Sequence, residues 1–490
     1  MWDKSEHVSQ WPSYDLPEKD TKRTLALWNE QHNCVVIYET GEVIFYLDNE
    51  QFIHEITERH LYIFAYRLID KHYFAPLEEL LHDRRTKAYC SRTGHVVGVY
   101  CKSKYSAWII DSAVWDDRIL PPDKRFLETI AEVYRVNGGR YAATPGSLGE
   151  RQIRSFLPKG TRFNRPTQAL RRILLTNKVG GRADTKVEKA HFGVLYEQDL
   201  NSAYPAMSME TINPAERPTR FGNRIDTADS STLDSFYSYY ARCVISIPLK
   251  VQQKFGPLPY RQEDGRLSYP TEPGTVFEGW FWKEEVQRAR DAGYLVDVDK
   301  GYGWYTSSDW LKEWALHMYK LRSETEGDVK DIIKKETVAA LGRFGISPET
   351  LTLVKEEDYQ EGDIPVPIAD ARAWESSISG YYIHVTPDPD SNHLTHIYFY
   401  ILMKARCALY DRILEEELAS VSVVASNYDS YYTVSPTALT TRRGLDIGEW
   451  KQRAIRKAYI SAPRSISGIR EGIPIDKRPG VKRQGRKMPT

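Results

Sequence analysis

Apolar and polar positions alternate in short runs through the first third of the chain. CVVIYETGEVIFYL, starting at Cys34, has two β-rich runs around Thr40-Gly41 and predicts a hairpin. LYIFAY from Leu61 and WIIDS from Trp108 predict further strands, and PDKRFLETIAEVYRV from Pro122 reads as a helix. This mixture is α/β in character. A basic stretch follows, closing on NKVGGRADTKVEK, whose paired glycines mark a turn. A domain boundary is expected between Tyr141 and Gly160.

Farther along the spacing changes. SDWLKEWALHMYKLRSE carries Trp310, Leu311, Trp314, Ala315, Met318 and Leu321 at helical intervals, behind a Ser308 or Asp309 cap. DVKDIIKKETVAALGRFG predicts a second helix that runs to Gly342 and Gly345. An acidic, proline-bearing segment spans Ser347 to Asn392. IYFYILMKARCALYDRILEEEL predicts a third, long helix, and VSVVASNYDSYYTVS reads as strand, tight turn, strand.

Composition narrows the class. A length of 490 residues suits two to four domains of roughly 100–200 residues each. Lysine plus arginine equals aspartate plus glutamate, 67 each, so net charge names no partner. Distribution says more: from Arg464 onward there are eight basic residues against Glu471 and Asp476, and Lys159 to Lys189 is also basic. Such stretches suit a polyanion or a solvated surface. The five cysteines form no C-x-x-C pair, which argues against a disulfide framework or zinc ribbon. No apolar signal core opens the chain, and no apolar run approaches the ~20 residues that span a bilayer. The expectation is a soluble, intracellular protein without membrane contact.

Two aspartates stand in similar settings. Asp199 closes the β-like run of YEQDLNSAYPAM, and Asp429 sits in the turn of the last hairpin, flanked by tyrosines. Each alone reads as a turn cap. Brought together, they would bind a hard divalent cation through oxygen.

The order of three segments resembles a known family. DLNSAYP, KKETVAALGRFG and NYDSYY resemble motifs A, B and C of family B DNA polymerases, most of all the protein-primed branch of bacteriophages and linear plasmids. Motif A matches at Asp199, Asn201, Ser202, Tyr204 and Pro205. In motif B, Lys334 stands eight residues before Gly342. RSETEGDVKDIIK resembles the upstream pattern and places Arg322 twelve residues before Lys334. NKVGGR resembles the Gly-Gly turn leading into the palm. IGEWK, SAPRS and GIREGIP resemble the G-x-W-K, K-x-Y and K-G-I-P signatures near the thumb. The resemblance covers roughly Val179 to Pro474.

The resemblance implies an α+β right-hand polymerase, with palm, fingers and small thumb, behind an N-terminal RNase H-like 3′–5′ exonuclease-type α/β domain. The expected division is 1–150 exonuclease-like, 151–190 basic linker with the Gly-Gly turn, 191–305 palm with motif A and an insertion, and 306–346 fingers. A 347–392 segment like the terminal-protein region, 393–450 palm with motif C, and 451–490 small thumb with basic tail complete it. Asp199 and Asp429 would be the catalytic metal ligands, with the Leu200 carbonyl, for two Mg²⁺ or Mn²⁺ ions. Arg322, Lys334, Leu341 and the Ala203 and Tyr204 positions would meet the incoming nucleotide. Gly180, Gly181, Ser202 and Arg464 would touch DNA. Partners would be template and primer DNA, dNTPs and a terminal protein, and the chain would act as a monomer.

Departures from the pattern weaken parts of this picture. Asn427 replaces the first acid of Asp-Thr-Asp, which lowers local negative charge. Val338, Ala339 and Leu341 stand where motif B has Asn-Ser and a tyrosine, and Leu341 shares a helix face with Lys334. Ile466 replaces the tyrosine of K-x-Y. FAYRLID keeps one acid of the second exonuclease motif, Asp70, while the first-strand D-x-E and the Y-x-x-x-D are missing. One acid cannot hold two metals, so the exonuclease-like domain is expected not to proofread. Two other readings stay open: a catalytically impaired nucleic-acid-binding replication scaffold on a polymerase fold, and a polymerase with primer-independent synthesis or a preference for RNA.

Overall fold

The computed structural model describes residues 9–10, 23–29, 34–45, 49–66, 86–90, 96–101, 105–116, 121–187, 189–222, 230–262, 265–345, 349–355, 372–375, 381–387, 393–437, 439–462 and 465–477. The chain divides into two compact units. The first comprises Met1–Trp11, Phe156–Tyr319 and Leu394–Val481; the second comprises Pro12–Ser155, Lys320–His393 and Lys482–Thr490.

The second unit holds a mixed seven-stranded sheet. Its order is Val43–Phe45, Cys34–Ile37, Thr24–Asn29, Leu61–Ala65, Tyr105–Asp111, Val96–Cys101, Thr86–Cys90. Cys34 pairs antiparallel with Phe45, so the hairpin expected around Thr40-Gly41 forms. Thr24–Asn29, Leu61–Ala65 and Tyr105–Asp111 run parallel to one another. All five residues of Leu61–Ala65 are buried, which explains a continuous apolar run where an edge strand would alternate. Helix Lys124–Val136 begins where Asp123 accepts from the Phe126 amide at 2.8 Å. It buries Phe126, Leu127, Ile130, Val133 and Tyr134, one stripe at helical spacing.

Helices Pro145–Phe156 and Gly327–Arg343 meet in the same unit at a glycine. A Cβ on Gly149 would lie 2.6 Å from the Ala340 Cβ and 3.0 Å from the Glu336 carbonyl oxygen. Beside this contact Asn137 donates to Glu336 at 3.0 Å, and Arg343 donates to Glu150 at 2.6 Å. Glu349–Lys355, Tyr381–Pro387 and Arg372–Glu375 make a three-stranded antiparallel sheet, with Tyr381–Pro387 at its centre.

The first unit is built on an all-antiparallel seven-stranded sheet. Its order is Arg182–Thr185, Val423–Tyr428, Ser430–Thr433, Ala190–Leu200, Trp450–Ala462, Ser465–Arg470, Ile473–Lys477. Helix Thr395–Leu418 packs Leu409, Tyr410 and Ile413 onto Leu200, Ala203, Val423, Tyr431 and Trp450. A four-stranded sheet, Thr219–Phe221, Leu295–Trp304, Ser238–Ser246, Val276–Trp282, carries its own core around Phe221, Ile245, Phe281 and Val298. Among the described residues, no helix is long and apolar enough to cross a membrane.

Candidate active site

Strand alternation sorts the residues at one end of the seven-stranded sheet. Leu200 pairs with Trp450, and both turn toward the helix Thr395–Leu418 in one apolar cluster. The preceding pair, Asp199 opposite Lys451, therefore points to the other face. On its other side Asp199 pairs with Ser430, the residue after Asp429. The Leu200 amide donates to the Asp429 carbonyl at 2.9 Å. Neighbouring strands lie about 4.8 Å apart, so two acids 230 positions apart in sequence share one end of the sheet.

Tight turns hold both positions. Tyr428 adopts φ 58°, closing the hairpin between Val423–Tyr428 and Ser430–Thr433 with Asp429 at its tip. Ser202, in the left-handed region at φ 51° and ψ 48°, turns the chain from Leu200 into the short helix Ala203–Ser208. Asn201 anchors this turn. Its amide hydrogen bonds to the Glu449 carbonyl at 2.8 Å, and its side chain donates to Tyr319 Oη at 3.1 Å, Asp446 O at 3.2 Å and Leu445 O. The motif A turn is thus tied to the loop before Trp450.

The Gly-Gly turn lies against the same end. A Cβ on Gly181 would stand 2.6 Å from Tyr428 Cδ1 and 3.2 Å from Tyr204 Oη, while one on Gly180 would meet nothing within 4 Å. Arg406, buried on the long helix, donates to the carbonyls of Val179 at 3.2 Å and Gly180 at 2.9 Å, and to Glu285 at 2.7 Å. Burial, then the charge of Asp429, holds the Tyr204 hydroxyl well above the usual phenol range, so it stays neutral.

The pairing of Asp199 with Lys451 is close: Lys451 Nζ lies 2.8 Å from Asp199 Oδ2 and 3.3 Å from Asn201 Oδ1. The resemblance included this lysine only as the last letter of the G-x-W-K signature and gave it no role, because strand register is invisible before folding. Its place after Trp450 in IGEWK was the signal for its facing: an apolar residue facing the core sends its neighbour to the opposite face.

Along one row of the sheet Asn427 pairs with Ser430 and Ser430 with Asp199, so an amide oxygen, a hydroxyl and a carboxylate share one face, beside the turn that carries Asp429. Asn427 Oδ1 is buried and has no hydrogen-bond partner. An ammonium already rests on Asp199 as a cation would. These features fit a hard divalent ion, although among the described residues no three His, Cys, Asp or Glu side chains gather around one point.

The other expected residues lie in the second unit or outside the described residues. Arg322, Lys334 and Leu341 belong to the second unit. Arg322 lies in helix Lys312–Glu324, Lys334 and Leu341 in helix Gly327–Arg343, where Leu341 is buried. Arg464 and Asp70 lie outside the described residues.

The antiparallel sheet with two acids at adjoining strand ends, together with the N-terminal mixed sheet, defines a right-hand polymerase fold with an exonuclease-type domain. Solved structures share it. The chain is similar to Phi29 DNA polymerase complexed with primer-template DNA, at TM-score 0.65 and 13% identity, over 94% of this chain and 91% of that one. Against the same enzyme with incoming nucleotide substrates the TM-score is 0.64 at 14% identity, over 91% and 88%. Residues 154–370 match the family DNA polymerase type B, organellar and viral. A probable DNA polymerase of Podospora anserina is 25% identical over 174 residues, 33% of this chain and 13% of that protein. One from Ascobolus immersus is 25% identical over 214 residues, 42% and 17% of the two. The match therefore spans less than a fifth of either fungal protein. Residues 154–370 are thus similar to that family, and the fold is the one the solved polymerases share.

Proposed function

We propose that the chain is a template-directed DNA polymerase that adds dNTPs by two-metal-ion nucleotidyl transfer, primed by a protein and without proofreading. The observation that carries the reading is the register placing Asp199 beside Ser430 and the Leu200 amide on the Asp429 carbonyl. Isolated turn caps have no reason to converge from opposite ends of the first unit. A primer 3′-hydroxyl, or a hydroxyl of the priming protein, attacks the α-phosphorus. The new P–O bond forms as the bond to pyrophosphate breaks, and the hydroxyl proton passes to solvent.

Asp199, Asp429 and the Leu200 carbonyl would hold Mg²⁺ or Mn²⁺, which when bound activates the hydroxyl and stabilises the leaving pyrophosphate. The chain's own contribution is positional. Asn201 fixes the motif A turn, Trp450 and Tyr431 brace its underside with ring centroids 5.4 Å apart, and Gly181 admits the Tyr428 ring beside the acid. Tyr204 presents a neutral ring as the barrier to a 2′-hydroxyl. Toward the nucleotide, Arg322 and Lys334 are assigned the triphosphate, the Ala203 and Tyr204 amides its oxygens, and Leu341 the place of the usual tyrosine. Gly180, Gly181, Ser202 and Arg464 are assigned to DNA.

Loss of proofreading is supported by the first strand of the N-terminal sheet. Where an exonuclease would carry acids, Leu25, Ala26 and Trp28 are apolar and buried. The scaffold reading draws its support from Asn427 and from the Lys451 ion pair on Asp199. Primer extension with labelled dNTPs and Mg²⁺ decides between the two. Wild type extends, and Asp199→Asn and Asp429→Asn each lose roughly a thousand-fold or more with unchanged melting. A wild type that binds DNA without extending any primer leaves the scaffold. Transfer of one labelled dNTP onto a candidate terminal protein tests the priming mode.

A further inference from the structure

We propose that Lys451 is a positioning residue that serves as the resident counter-ion of Asp199, weakening the site for a bare divalent cation and favouring a cation that arrives with a nucleoside triphosphate. The inference rests on the polymerase reading and concerns how its cation site is loaded.

Three observations carry it. Lys451 is the direct cross-strand partner of Asp199, so the two side chains leave the sheet on one face. Its ammonium lies 2.8 Å from Asp199 Oδ2 and 3.3 Å from Asn201 Oδ1, and the two side chains are only 17% and 20% exposed. Such a pair is partly screened from water, so it is firmer than a surface ion pair. Third, Asn427 stands in the same cross-strand row through Ser430, and its buried amide oxygen is neutral and has no hydrogen-bond partner.

The consequence follows from charge. A divalent cation that takes Asp199 must displace an ammonium or bind a few ångströms from it, and either is repulsive. The displaced ammonium then stands half out of water without an anion. A triphosphate supplies that anion, so cation and nucleotide entering together remove both penalties. Lys451 also holds Asp199 and Asn201 in register before loading, which keeps the motif A turn ordered.

The test is binding by the full-length chain, independent of turnover. Mn²⁺ is titrated without nucleotide and bound ion is read by electron paramagnetic resonance. Preformed Mn·dATP is titrated by calorimetry. Lys451→Gln is expected to bind bare Mn²⁺ roughly ten-fold more tightly than wild type and Mn·dATP more weakly. Lys451→Arg is expected to restore both values toward wild type. Lys451→Met serves as a second neutral variant should the glutamine form fold poorly. A structural role alone would not move the two affinities in opposite directions. Equal bare-ion affinity in wild type and both neutral variants overturns the proposal, as does a gain of the same sign for Mn·dATP. If Asp199→Asn and Asp429→Asn leave Mn²⁺ binding unchanged, the polymerase site itself is misassigned, an outcome distinct from failure of the lysine's role.

Discussion

Gly181 stands where a side chain would collide with Tyr428: a Cβ there would lie 2.6 Å from Tyr428 Cδ1 and 3.1 Å from its Cα. The ring could swing aside, but the backbone atom belongs to the turn that presents Asp429. Gly181→Ala therefore displaces the motif C tip by a few tenths of an ångström or more. Primer extension is expected to fall roughly ten- to hundred-fold, since small misplacements of reacting groups are costly. Gly180→Ala, with open space around it, is expected to cost far less. Single-turnover extension with both variants checks the contrast, and equal rates would remove Gly181 from the positioning of Asp429.

Arg406 and Glu285 form a buried pair whose loss can be measured as stability. The guanidinium lies 2.7 Å from Glu285, both side chains are almost fully buried, and its remaining donors satisfy the Val179 and Gly180 carbonyls. Removing one partner leaves an uncompensated charge inside, worth about 3–5 kcal/mol. Arg406→Met is expected to destabilise by that amount in urea unfolding. The double variant with Glu285→Leu is expected to recover part of it, because no buried charge is left alone. A double variant less stable than the sum of the two singles would show that the pair is not the source of the loss.

Glu336 gives the second unit a pH dependence. Burial pushes its carboxyl up to about 8, and one hydrogen bond from Asn137 pulls weakly the other way. The folded pKa lies above the unfolded one, so the fold holds an extra proton between roughly pH 4.5 and 8. Stability is fully present below the unfolded value and is lost as pH rises through the folded one. Melting measured from pH 5 to pH 9 is expected to fall, by up to a few kcal/mol in stability. Glu336→Gln, neutral and of the same shape, is expected to flatten the fall between about pH 5 and pH 8. A wild-type profile level between pH 6 and 9 would contradict the assignment.

Much of this architecture was legible before folding because it is local. The Cys34–Phe45 hairpin, the helix capped by Asp123 and the Val423–Thr433 hairpin around Asp429 are specified by periodicity and turn chemistry within about twenty residues. The α+β class and the polymerase resemblance followed from the order of such pieces. What could not be read was pairing between distant strands. Asp199 meets Ser430 and Lys451 through registers set by loops of 230 and 251 positions. Neither the lysine on the acid nor the Arg406 clamp on the Gly-Gly turn leaves a periodic trace. Trp450 carried a usable hint, since its burial reverses the facing of Lys451.

The exonuclease-type domain offers the last test. Its strands Thr24–Asn29, Leu61–Ala65 and Tyr105–Asp111 run parallel, and the first, TLALWN, carries no acid. Asp111, at the end of the third, is buried and accepts from the Ala113 amide at 3.0 Å, which makes it a cap for the turn Ser112–Val114. Phosphodiester hydrolysis of this kind uses a pair of ions, and the proposal is that this carboxylate serves the turn instead. A 5′-labelled primer with a mismatched 3′ end, incubated with the protein and Mg²⁺ or Mn²⁺ without dNTPs, is therefore expected to keep its length. With dNTPs added, the mismatch is expected to persist in the extended product. Shortening that Asp111→Ala abolishes would show that the domain still cleaves and would restore proofreading to the chain.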